Sequence, residues 1–169
     1  MMKVNIKMNS IMTDIHGILN KNKICLHMNI NYYTENEILI LEFNSIIQMN
    51  QIMEKSANNY EGFIKNRIGF NFPSDFVIGT IPYFDKNRHK YVIGYIKGDW
   101  KVRKHEMCHA KFYISKKYRK FWIKKWNLLN SNIRQKIIKK LKYMGYSDNV
   151  IIDEFQAYMQ DNSKIFNTI

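Results

Sequence analysis

At 169 residues the chain has the size of one domain and can bury a core without disulfide staples, so a single unit over residues 1–169 is expected. A hydrophobic fraction of 46% with 14% aromatics excludes a disordered chain, and no run of about 18 apolar residues offers a membrane span. The formal net charge of +13 is unevenly placed: residues 101–146 hold 15 of the 27 Lys and Arg but only one of the 14 acids, Glu106.

That basic stretch has two readings. It is either the solvated side of lysine-rich helices, in a chain where Lys outnumbers Arg 22 to 5, or a face for nucleic acid or another polyanion. The two cysteines, Cys25 and Cys108, do not make a disulfide framework. The opening MMKVNIKMNSIMTDIHGILNKN breaks every apolar run with polar residues, unlike a secretory signal. A cytoplasmic, intracellular setting is expected.

In chain order, Ile24, Leu26, Met28, Ile30 and Tyr32 alternate with polar or small residues, the period of a half-buried strand. Thr34 and Glu37 stand at capping-box spacing. A helix is expected from about Asn44 to Lys55, with EILILEF before it readable as helix or strand. GFNFPSD reads as a turn, and FVIGTIPYF and YVIGYI as two short strands, the second ending in a turn and helix cap at Lys97, Gly98 and Asp99.

From Trp100 the period is helical almost to the end. Tyr118, Trp122, Trp126 and Leu129 form one stripe and Ile133, Ile137, Leu141 and Met144 another, with lysines opposite. The first stripe reads as core packing in preference to a base-stacking platform. A turn at Gly145 to Asp148, capped by Ser147 or Asp148, starts a last helix through Met159. The fold class is α+β, with short strands in the N-terminal half and a C-terminal helical half.

That helical half contains His105, Glu106, Met107, Cys108 and His109, an HExxH motif. Histidines at i and i+4 project from one helix face, so both imidazoles can reach one ion with the intervening Glu beside it. A catalytic zinc site needs a third protein ligand. On the last helix Ile151, Ile152, Phe155, Tyr158 and Met159 make an apolar arc, with Asp153, Gln156 and Gln160 opposite on a face read as solvated. Glu154 falls at the edge of the apolar arc, where a carboxylate needs a cation, which makes it the favoured third ligand. Asp153 is the alternative, and a salt bridge from Glu154 to a nearby lysine is the plainer reading. Cys108 could compete as a thiolate but reads as a small buried residue.

HEMCHA together with DEFQAY resembles the gluzincin branch of the HExxH zinc metallopeptidases, over Val102 to Tyr158, about a third of the chain. The resemblance implies a zincin-like fold carrying one Zn²⁺ on His105, His109 and Glu154, and a peptide or protein substrate lying along YVIGYI as the edge strand. Tyr158 stands where thermolysin-like members carry an Asp that orients the first histidine, and the gap from His109 to Glu154 is longer than theirs. On this reading Glu106 is the general base on metal-activated water and Tyr158 donates to the oxyanion, with His89 and Tyr113 as further candidates. The competing expectations are a SprT-like protease brought to nucleic acid by the basic helices, and a basic binding module in which the motif is structural.

Overall fold

The computed structural model describes residues 30–160 and 164–166. Asn31–Ile169 gathers as one compact unit, and most of the strand expected before Tyr32 lies outside the described residues. Strands β1 (Asn31–Glu35) and β2 (Ile38–Phe43) form an antiparallel hairpin in which Glu35 faces Ile38. Asn36 and Glu37 both take positive φ, 49° and 66°, as a two-residue hairpin turn of the primed type requires. The capping box expected at Thr34 and Glu37 is therefore not formed: Thr34 Oγ1 bonds His89 Nε2 at 3.0 Å, and Glu37 pairs with Lys90. EILILEF lacks alternation because β2 is buried on both faces.

Helix α1 (Ile46–Glu61) follows, capped by Ser45, whose hydroxyl accepts from Gln48 N at 3.2 Å. Two strands complete the sheet, β3 (Gly69–Pro73) and β4 (Tyr91–Ile96), in the order β1-β2-β4-β3. β4 runs parallel to β2 and antiparallel to β3. Two strand expectations are corrected here. YVIGYI is an inner strand between β2 and β3; β3 is the outer strand on that side, and its GFNFP reads as a turn because of its terminal Gly and Pro, residues an outer strand tolerates. FVIGTIPYF is not a strand: a 3₁₀ turn at Ser74–Phe76 leads into a loop whose amides bond locally or to side chains, as Ile78 N does to Ser56 Oγ at 2.8 Å.

Sheet parity assigns the faces. Ile38, Ile40, Tyr91, Ile93 and Tyr95 point to one side and pack on Val102, Met107 and Ala110 of helix α2 (Trp100–Ile114). Register with β4 puts Gly69 and Asn71 of β3 on that same side. α1 covers the other side through Met49, Met53 and Ala57; a Cβ at Gly94 would collide with Met53 and Phe43, so glycine is what lets this helix approach.

Helices α3 (Lys116–Leu128), α4 (Ser131–Tyr143) and α5 (Ile151–Gln160) follow α2. Asp99, Ser115 and Asn130 cap the starts of α2, α3 and α4. A second core joins Trp122 and Trp126 to Ile137, Leu141, Ile151 and Phe155, with Trp126 and Phe155 ring centroids 5.1 Å apart. The tryptophan stripe is thus core packing, and the protein is α+β, with all four strands preceding helices α2 to α5 and α1 inserted between β2 and β3.

Candidate metal centre

Three local features bring the site together. The β4–α2 turn, with Gly98 at φ +88° and the Asp99 cap, starts α2 so that its inner side packs on the sheet while His105, Glu106 and His109 lie along a cleft. Gly145, at φ +102°, turns the chain out of α4 so tightly that a Cβ there would meet the Phe63 carbonyl. Ser147 then bonds the Glu61 carbonyl through both N and Oγ, at 3.1 and 2.9 Å. The start of α5 is in this way tied to the end of α1, and its acids face the histidines of α2.

His105 Nε2 and His109 Nε2 converge to 3.1 Å. Glu154 Oε1 lies 3.5 Å from His109 Nε2, and Glu154 Oε2 lies 3.9 Å from His105 Nε2. Ligands about 2.0–2.1 Å from a tetrahedral zinc stand about 3.3 Å from one another, so this spacing fits. His105, His109 and Glu154 form a group that could hold a metal ion. Cys108 is buried but is not among the converging donors.

Buried charge supports a cation. Glu61, Glu106, Asp153 and Glu154 are all buried around the cleft, against Arg67 and the two imidazoles. Glu154 Oε2 has no hydrogen-bond partner, although it is fully enclosed. Burial pushes the Glu154 carboxyl well above its usual range, opposed by His109. Burial likewise raises Glu61 to about 8, opposed by Arg67 and His109. His109 is pulled down by burial, but Asp153 and Glu154 outweigh that and hold it well above the ordinary histidine value. A divalent cation among these groups would relieve the crowding, and two imidazoles with a carboxylate are a zinc donor set.

Around the donors lies a supporting shell. Asp153 Oδ1 sits 2.9 Å from His109 Nδ1, which fixes the imidazole with Nε2 toward the other donors. Gln156 donates to the same Oδ1 at 3.0 Å, and Tyr118 donates to Gln156 at 2.9 Å. Asp153 and Gln156, expected on a solvated arc, are 4% and 0% exposed. That expectation assumes a helix packed on one side, whereas α5 is enclosed by α2, α3 and α4.

Glu106 accepts from Asn71 Nδ2 at 2.8 Å; the same amide group also donates to Glu61, and Tyr91 donates to Asn71 Oδ1 at 2.5 Å. Its other oxygen lies beside Gly69, where a Cβ would overlap it. Tyr158 stacks obliquely on His105, ring centroids 4.8 Å apart, and its hydroxyl is 2.9 Å from that of Tyr146. Burial, and then the nearby Glu154 charge, pushes the Tyr146 phenol upward, so it remains a neutral donor.

The cleft, of about 390 Å³, is lined by His105, Glu106, His109, Glu154, Tyr146 and Tyr158 among others. His89 and Tyr113 do not line it: both His89 nitrogens are engaged in the loop, by Thr34 and by Asp85 N, and Tyr113 packs on Tyr91. Glu61, Asn71 and Tyr146 carry no motif that marks them in the sequence; Asp153 is marked only by adjacency to Glu154. No protein-family model matches the chain, and no match was found among curated proteins or solved structures.

Proposed function

We propose that the protein is a zinc-dependent hydrolase, a zincin-like peptidase of gluzincin type that cleaves peptides or proteins. The observation that carries this reading is the convergence of His105, His109 and Glu154 at 3.1–3.9 Å, with Glu106 on the wall of the same cleft. His105, His109 and Glu154 would hold one Zn²⁺, which when bound supplies Lewis acidity toward the scissile carbonyl and acidifies water.

Glu106 has the reactive role. Asn71 anchors its Oε2, and as general base Glu106 takes the proton of the attacking water and returns it to the leaving amine. Tyr158 is the donor to the developing oxyanion: its hydroxyl is in contact with that of Tyr146, so the pair can donate one O–H to the other and keep one for substrate. The outer strand β3, adjacent to Glu106 through Gly69, is the strand an extended substrate would follow. A reducing, cytoplasmic setting goes with this reading; no helix among the described residues is long and apolar enough to cross a membrane.

Hydrolysis of a mixed casein-derived peptide pool by wild type and by Glu106→Gln tests the assignment. The variant should keep its zinc and lose at least about 10²-fold in rate. Undiminished turnover would remove Glu106 from the role, and a zinc-loaded wild type that cleaves nothing in the pool would count against a peptidase.

A further inference from the structure

The most basic part of the chain stands apart from the cleft, whose lining includes no residue of α3 or α4. Residues 116–143, covering α3 and α4, contain eleven Lys and Arg and no Asp or Glu. Some of that charge is used internally: Arg119 donates to the carbonyls of Phe112 and Tyr113, and Lys142 pairs with Asp148 at 2.7 Å. On α3 the inner side is fixed by buried Trp122 and Trp126, so Lys117, Lys120, Phe121, Lys124 and Leu128, at i, i+3, i+4, i+7 and i+11, share the opposite side. All five are exposed, Phe121 at 52% and Leu128 at 76%. None of them lines the cleft.

We propose that this outward face of α3 binds single-stranded nucleic acid, its lysines contacting phosphates and Phe121 stacking on a base. The inference is independent of the peptidase reading. Lys117, Lys120 and Lys124 stand about 4.5 and 6 Å apart along the axis, a row of positive charge that can run along a phosphate backbone. A ring among them adds sequence-tolerant stacking, available only from unpaired bases. An anionic membrane is the less suited occupant, because an interfacial helix needs a broad apolar side to insert, and the apolar side of α3 is consumed by the Trp122 and Trp126 core. The buried tryptophans cannot serve as the stacking platform; on α3 the exposed ring is Phe121, with Lys125 Nζ 4.9 Å from its centroid.

The experiment is fluorescence anisotropy of the full chain with labelled oligothymidylate across a salt series, beside vesicles of phosphatidylcholine and phosphatidylserine. Binding should weaken steeply with salt. Replacing Lys117, Lys120 and Lys124 together by Gln should flatten the log–log salt slope by about 2, at about 0.7 for each phosphate of a single strand that is no longer neutralised. A charge-matched control, Lys55, Lys86 and Lys97 to Gln, should leave slope and affinity nearly unchanged, and Phe121→Ala should weaken binding about tenfold with the slope intact. Equal effects in the control would reduce the result to overall charge and overturn the proposal. So would an absence of oligonucleotide binding at low salt, or binding to the vesicles alone.

Discussion

Asp153 Oδ1 on α5 lies 2.9 Å from Nδ1 of His109 on α2, one residue before the carboxylate that faces the same imidazole from its other nitrogen. Adjacent acids on one helix thus divide the work: Glu154 meets the Nε2 edge, where a metal would sit, and Asp153 holds the ring from behind. Asp153→Asn is accordingly expected to weaken zinc affinity by about 10- to 100-fold, the usual effect of removing such a support. Glu154→Gln, which removes a ligand, should weaken it more. Competition against a chromophoric chelator ranks the two variants, and the reverse order would exchange the roles.

Gly69 permits the close approach of β3 to α2. A Cβ there would overlap Oε1 of Glu106 and press on Val102. Gly69→Ala should therefore destabilise the protein by about 1–3 kcal/mol, the range for overpacking a filled site, and shift Glu106. Denaturant unfolding with zinc analysis checks this: stability and turnover should fall while zinc content holds.

Asn71 is a shared donor for two buried carboxylates, with Tyr91 locking its orientation. Asn71→Leu should cost about 1–3 kcal/mol for each buried carboxyl group that loses its donor. Tyr91→Phe, which leaves both amide bonds in place, should cost nearer 1 kcal/mol. Urea midpoints of the two variants compare them directly, and equal destabilisation would show that Asn71 is not the support of both acids.

The helical half is far more legible in the sequence than the sheet. Asp99 and the stripes of Trp122, Trp126, Ile137 and Leu141 are local signals, and they mark α2 to α5 and their shared core; Ser147, expected to cap the last helix, makes no capping bond and donates to the Glu61 carbonyl, with a 3₁₀ turn at Asp148–Val150 leading into α5. β2 and β3 are specified by what packs on them. ILILEF is buried on both faces and so carries no period, and GFNFP is a strand only because β4 pairs with it. The same distinction holds in the cleft. His105, Glu106, His109 and Glu154 can be named from spacing on two helices, because helix geometry is local. Glu61 and Asn71 reach the cleft through the Ser147–Glu61 tie and the strand register, which no short pattern records. Periodicity misplaces Asp153 for a related reason: a polar arc is solvated only where no second layer covers it.

Whether a single metal is held by His105, His109 and Glu154 is read out by elemental analysis of the purified protein alongside His105→Ala. Wild type should carry about one zinc per chain, restored by zinc after chelation, and the variant almost none while its helicity is kept. A wild type that takes up no zinc on reconstitution, or a His105→Ala variant that binds as much as wild type, would contradict it.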